Sequence, residues 1–143
     1  MNAKEFLSRA YRLETRISNK NEQIYRLRAL AERVTASYGR EAVSRSRNTD
    51  SMADSIARIS ELEMKLRNTV DELVAIRKDI ADVIDQVPDI SCQTLLELRY
   101  LCMKPWGEIC DMMKLRSSQV FHLHSKALSA VETVLREHRR EAS

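Results

Sequence analysis

Nucleophilic catalysis needs a thiol, hydroxyl or amine set beside a base, and this 143-residue chain offers three cysteines and three histidines for that pairing. Cys110 and His124 are the pair that invites a dyad, but Cys110 recurs with Trp106, Ile109 and Met113 at helical spacing, which places it in a core stripe. His122 and His124 stand two residues apart, about 200° around a helix, and cannot face one ion. There is no CxxC pair, no glycine-rich phosphate loop and no pair of carboxylates in a cleft-forming pattern. Cys92, Cys102 and Cys110 are odd in number and lie in apolar patterns, so reduced core residues are expected, not a disulfide framework. The expectation is a protein without enzymatic activity, metal or cofactor.

One stretch does carry residues suited to recognition: PWGEICDMMKLRSSQVFHLHSKAL, residues 105 to 128. Pro105 suits the first position of a short helix. Lys114 to Ser117 allows a sharp turn with Leu115 plugging its corner. A longer helix then follows from about Ser117 to Glu137. Its inward face is Val120, Leu123, Ala127, Val131 and Val134, and its opposite face shows Ser118, Gln119, His122, Ser125 and Lys126. No acid stands between Asp111 and Glu132, while Lys114, Arg116 and Lys126 supply positive charge. A helix enters the major groove of DNA when its outward side chains can hydrogen-bond base edges and do not repel phosphate, and this face meets both conditions. Phe121 is placed to touch a thymine methyl or to pack on the long helices, the position of His124 is ambiguous, outward or half-buried, and Trp106 is read as core in preference to a stacking platform.

The elements that position this stretch are helical. With two Gly, two Pro, 5 % aromatic and 31 % charged residues, sheets are a poor fit and an all-α chain is expected. Apolar or small residues at Phe6, Ala10, Leu13, Ile17, Ile24, Leu27, Ala31 and Val34 alternate by four and three, interrupted at Lys20, which is a coiled-coil seam. A second seam reads Met52, Ile56, Ile59, Leu62, Leu66, Val70, Leu73, Ile76, Ile80, Val83 and Val87. Between them Gly39 is a stop signal and SRSRNTDS has no apolar residue, so a loop is expected, capped into the next helix by Asp50 or Ser51. Arg45 and Arg47 read as a solvated loop tip or as contacts to phosphate or a partner. The organisation is then a long helix over 1–38, a polar linker over 39–50, a second long helix over 51–88 and a helix-turn-helix domain over 89–143, whose first helix runs from about Ser91 to Met103.

Charge is uneven along these segments: +5 over residues 1–50, −4 over 51–90 and +2 over the rest. Opposite charge favours the two long helices lying side by side, within one chain or between two. A two-helix hairpin is thin, so a homodimer or higher homo-oligomer is expected. No apolar run approaches a membrane span, and the opening MNAKEFLSRAYRLETR lacks the pattern of a secretory signal, so the reading is cytoplasmic with no membrane contact.

LLELRY (residues 95–100), PWGEICDMMKL and SSQVFHLHSKAL together resemble region 4 of the sigma-70 family, whose helix-turn-helix reads the −35 promoter element. The MNAKEFLSRAYRL start, the SRSRNTDSMAD linker and the TLLELRYLCMKPW junction are similar to a family of small phage and prophage proteins grouped with late-gene regulators of the RinA and ArpU type. The resemblance implies sequence-specific binding to double-stranded DNA in a bacterial host cytoplasm, with RNA polymerase as a possible partner of the long helices. It also implies a structural pair of Arg99 with Glu108. Lys114 stands where region 4 often has Gly, and Arg116 where it has a small capping residue. Ser117, Ser118 and Gln119 replace charged recognition residues, which implies a different target. Two other readings compete. One is an assembly protein like the small subunit of a phage packaging machine, and the other is a protein that acts by binding another protein alone.

Overall fold

The computed structural model describes the backbone of residues 1–37 and 45–142 and the side chains of 1–33 and 51–142. Among the described residues the chain is all-helical, with no strand. The elements are α1 (Ala3–Ser37), α2 (Arg45–Asp85), α3 (Ile90–Leu96), a π turn (Glu97–Leu101), α4 (Trp106–Met113) and α5 (Ser117–Ala142). Two compact units are built from them. One comprises Met1–Arg12 with Leu73–Ser143, and the other Leu13–Glu72.

The second unit consists of parts of the two long helices. Its inward positions repeat by three and four: Leu13, Ile17, Lys20, Ile24, Leu27 and Ala31 on α1, and Met52, Ser55, Ile59, Leu62, Leu66 and Thr69 on α2, are buried or half-buried. An ion pair between Arg28 and Glu63 joins the two helices at their flanks. That link forces an antiparallel arrangement. A parallel one would need the connection between Ser37 and Arg45 to cover about 40 Å of helix rise, whereas its length reaches under about 30 Å.

The α2 seam differs from the sequence expectation. Ile56 and Val70 lie outside it, 55 % and 38 % exposed, and Ser55 and Thr69 take their places. Thr69 tolerates burial because its hydroxyl donates to the Lys65 carbonyl at 2.9 Å, so no polar group is stranded. On α1, likewise, Leu7 is fully buried where Phe6 was expected, and Phe6 instead lies under the Arg9 guanidinium at 4.5 Å. The expected linker also needs correction, because α2 starts at Arg45 and the segment Arg45–Asp50 is helical, so neither Asp50 nor Ser51 caps it. Gly39, the side chain of Val34 and the side chains of Arg45 and Arg47 lie outside the described residues.

In the first unit, Ala3, Leu7 and Ala10 of α1 join Ile80, Val83, Ile84 and Val87 of α2, Cys92, Leu95 and Leu96 of α3, and Val120, Ala127, Val131 and Val134 of α5 as buried residues. Burying a Leu, Ile or Val side chain contributes roughly 1.5–3 kcal/mol, so this set dominates the stability of the unit. Asn2 and Glu5 form a reciprocal cap at the start of α1: the Glu5 N–H donates to Asn2 Oδ1 at 2.8 Å, and the Asn2 N–H to Glu5 Oε2 at 3.2 Å. The next N–H, of Ala3, donates to Glu132 Oε2 on α5 at 2.8 Å, tying the chain start to the last helix.

Pro88 cannot continue a helix, and α2 ends just before it. Gln93 covers the open end by donating through Nε2 to the Val87 and Asp85 carbonyls at 2.7 and 3.2 Å. Asp89 then caps α3, accepting the Cys92 N–H at 3.1 Å. The expected single helix to Met103 is instead α3 followed by the π turn, closed by Cys102 N–H to Glu97 O at 2.9 Å. Two carbonyls of that turn gain side-chain donors, Arg99 O from the Tyr11 hydroxyl at 2.5 Å and Leu101 O from Arg77 at 2.6 Å. Met103 leaves the turn at a positive φ of 57°.

Candidate nucleic-acid interface

The site is organised by the three residues between α4 and α5. Pro105 is the cap of α4, not its first helical residue, with ψ at 154°. At the other end Lys114 takes the left-handed conformation, φ 57° and ψ 44°. The Leu115 N–H reaches Cys110 O at 3.0 Å and the Lys114 N–H reaches Asp111 O at 3.4 Å, the paired bonds of a Schellman stop. Glycine usually fills the left-handed position. A lysine there costs roughly 1 kcal/mol or more from its Cβ and presents a cation at the turn.

Leu115 folds back on the cluster of Leu95, Ile109 and Val120, together with Trp106 and Leu123. Ile109 and Val120 are fully buried, while Trp106, Leu115 and Leu123 are half-buried. This cluster joins α3, α4 and α5, so it fixes the direction in which α5 leaves the turn.

Arg116 occupies the cap position of α5, where its side chain can accept nothing. Gln119 compensates from three residues on: its Oε1 accepts the Arg116 N–H at 2.9 Å. That is half of a capping box, and it leaves the Gln119 amide donors free to face outward. Ser117, Ser118, His122 and Ser125 are exposed along the first turns of α5, with Lys114 and Arg116 exposed at its start.

Ser118, Gln119, His122 and Lys126 share a concave surface with Ser91, Met113, Leu115 and Leu123, enclosing about 570 Å³. At its far edge the Lys126 ammonium meets Asp89 Oδ2 at 3.2 Å, with the two side chains 62 % and 40 % exposed. The Cys92 N–H first, and Lys126 second, hold the Asp89 carboxyl below its ordinary pKa. A carboxylate therefore stands beside a face that α5 itself keeps free of acids. Nothing in the α5 sequence signals it, although Pro88-Asp89 followed by an apolar run is a recognisable helix start.

The expected Arg99–Glu108 pair does not form. Glu108 lies 3.9 Å from Lys104, and the Arg99 guanidinium donates to the Lys104 carbonyl at 3.1 Å while lying 4.4 Å from the Trp106 ring centre and 5.5 Å from that of Tyr11. The π turn directs Arg99 to these rings, one of them at the start of α4, and not to Glu108. Trp106, expected in the core, is half-buried and packs against Phe121 at 5.3 Å and His124 at 4.8 Å. Phe121 is 50 % exposed. His124 is half-buried and shares a 2.7 Å hydrogen bond with the Tyr100 hydroxyl. Burial, then Lys4 and Arg99, push the His124 pKa down, and burial raises that of Tyr100 to about 12. Cys102 is exposed and so is not a core residue, whereas Cys92 is buried and Cys110 half-buried, all three as free thiols.

Among the described residues no three His, Cys, Asp or Glu side chains are grouped to hold a metal ion, and no helix is long and apolar enough to cross a membrane. No protein-family model, curated protein or solved structure matches the chain.

Proposed function

We propose that this chain is a sequence-specific DNA-binding transcriptional regulator of phage type, which docks α5 in the major groove of double-stranded DNA. The observation that carries the reading is the outward face of α5. It follows a three-residue turn from α4, contains no acid from its start to Glu132, and exposes Ser117, Ser118, Gln119, His122, Ser125 and Lys126 beside Lys114 and Arg116. The sigma region 4 resemblance of residues 95–128 points the same way. Ser117, Ser118 and His122 are the candidates for base edges or phosphate, Gln119 contributes its amide donors, and Lys114, Arg116 and Lys126 neutralise phosphate.

A single small module buries too little surface for tight specific binding, and two modules on spaced half-sites supply the missing affinity. The long helices make the homodimer in this reading. Tyr25 and Leu30 on α1, and Ile56, Met64 and Val70 on α2, are 38–74 % exposed and give the hairpin apolar surface for a second copy. RNA polymerase is a candidate partner of the same arm, in the bacterial cytoplasm. That exposed surface also supports the competing reading, a DNA-binding assembly protein of packaging-machine type, which requires a ring.

The test combines solution mass with equilibrium binding to a mixed-sequence duplex across salt concentrations. A dimer or tetramer is expected, and replacing Lys114, Arg116 and Lys126 together by Ala should lower the salt slope by about three. A ring of eight or more subunits moves the function to assembly. An unchanged slope removes α5 from the interface.

A further inference from the structure

On the flank of α5 away from Gln119 and Lys126, Phe121 and His124 look into a second cavity of about 400 Å³, lined also by Lys4, Ser8, Tyr11, Arg99, Tyr100 and Trp106. Its size falls in the range of small-molecule sites, roughly 300–1,000 Å³. The lining is unusual for a chain so rich in charge, because it holds four aromatic side chains, an imidazole and two cations but no carboxylate. Tyr100 is 3 % exposed, with the Tyr11 ring edge-on at 6.3 Å and the His124 ring stacked at 5.9 Å.

Arg99 is the informative residue. Its guanidinium is half-buried between the Trp106 and Tyr11 rings, and among the described residues it makes one hydrogen bond, to a neutral carbonyl, and no ion pair. A half-buried cation without a carboxylate partner is costly unless an anion reaches it. Lys4 stands on the rim, also without an ion pair among the described residues. The π turn is what brings Arg99 and its neighbour Tyr100 to one cavity, and short π segments within helices occur frequently at functional sites.

We propose that this pocket binds a small, flat aromatic anion, its ring packed among the aromatic side chains of the wall and its charged group held by Arg99 and Lys4. A mononucleotide and an aromatic carboxylic acid share this chemistry. The site is separate from the DNA-reading face and does not depend on it.

Trp106 is the only tryptophan in the chain and forms a wall of the pocket, so its fluorescence reports occupancy of the full-length protein. The titrants are adenosine monophosphate and phenylacetate, with adenosine and phenylacetamide as neutral counterparts. A saturable change with at least one anion, tenfold or more tighter than its neutral counterpart, is expected. A response to the nucleotide alone assigns a nucleotide ligand, and a response to phenylacetate alone an aromatic acid. Lys4→Ala and Phe121→Ala should each weaken binding about tenfold with unchanged helical circular dichroism; if Phe121→Ala fails to fold, Lys4→Ala decides. No saturable response to either anion up to about 10 mM, equal binding of the neutral forms, or full binding by a folded Lys4→Ala overturns the proposal.

Discussion

Asp89 uses its two carboxylate oxygens for two different helices: Oδ1 accepts the Cys92 N–H that opens α3, and Oδ2 holds Lys126 of α5 at 3.2 Å. The one lysine that α5 itself contributes to the proposed reading face is thus partly neutralised, and a negative charge lies where phosphate would approach. Asp89→Asn keeps an effective cap, because Asn caps about as well as Asp. It should therefore leave helicity intact and strengthen binding to any duplex, with a steeper salt slope. Parallel titrations of parent and variant across salt check this, and weaker binding by a folded variant would place Asp89 on the binding side of the balance.

Lys114 separates stability from binding. Its left-handed backbone favours glycine, so Lys114→Gly should stabilise the protein by up to about 1 kcal/mol in denaturant titrations. The same change removes a cation, so affinity should fall equally across sequences and the salt slope by about one. Lys114→Ala should weaken binding similarly without the gain in stability. It should also weaken binding more than Lys126→Ala does, since Lys126 already has a partner.

Gln119 both caps α5 and faces outward. Gln119→Glu preserves the acceptor for the Arg116 N–H and puts negative charge at a helix start, so stability should hold or rise slightly. Binding should fall sharply, because a carboxylate now faces phosphate. Gln119→Ala should instead cost roughly 0.5–1 kcal/mol of stability with a milder loss of affinity. Thermal melts alongside duplex titrations distinguish the two outcomes.

His124 gives the protein an acid-sensitive step. Its folded pKa lies below the usual histidine value of about 6.5, from burial first and from Lys4 and Arg99 next. As pH falls below that value the unfolded chain takes up a proton before the folded one, so stability declines until the folded His124 also titrates. His124→Asn should flatten the decline that sets in as pH falls through the ordinary histidine range, about 6.5, in urea titrations. An unchanged slope would assign it to other groups.

The sequence expectations held where local pattern decides and failed where a distant partner does. The all-helical class and the two long helices follow from composition and from apolar residues at three- and four-residue spacing. The sequence points to Ile56 and Val70 for the seam because they are more apolar than Ser55 and Thr69. Register is set by the facing helix, and the Lys65 carbonyl makes buried Thr69 acceptable. SRSRNTDS read as a loop because it has no apolar residue, yet from Arg45 it is helical, which its residue types disfavour only weakly. At the candidate site the outward face of α5 was legible from helical spacing. The Asp89–Lys126 and Tyr11–Arg99 contacts, 37 and 88 residues apart, were not. The pairing of Arg99 with Glu108 is implied by the sigma region 4 resemblance, and the π turn places Arg99 against Trp106 and Tyr11 instead.

The central claim is that α5 reads sequence, and selection of the purified protein on a pool of random duplexes, followed by sequencing, tests it most directly. The account expects enrichment of two half-sites at fixed spacing, with Gln119→Ala or His122→Ala relaxing the preference at one position by roughly 1–3 kcal/mol. A pool that binds at low salt without any enriched motif, or does not bind at all, would contradict it.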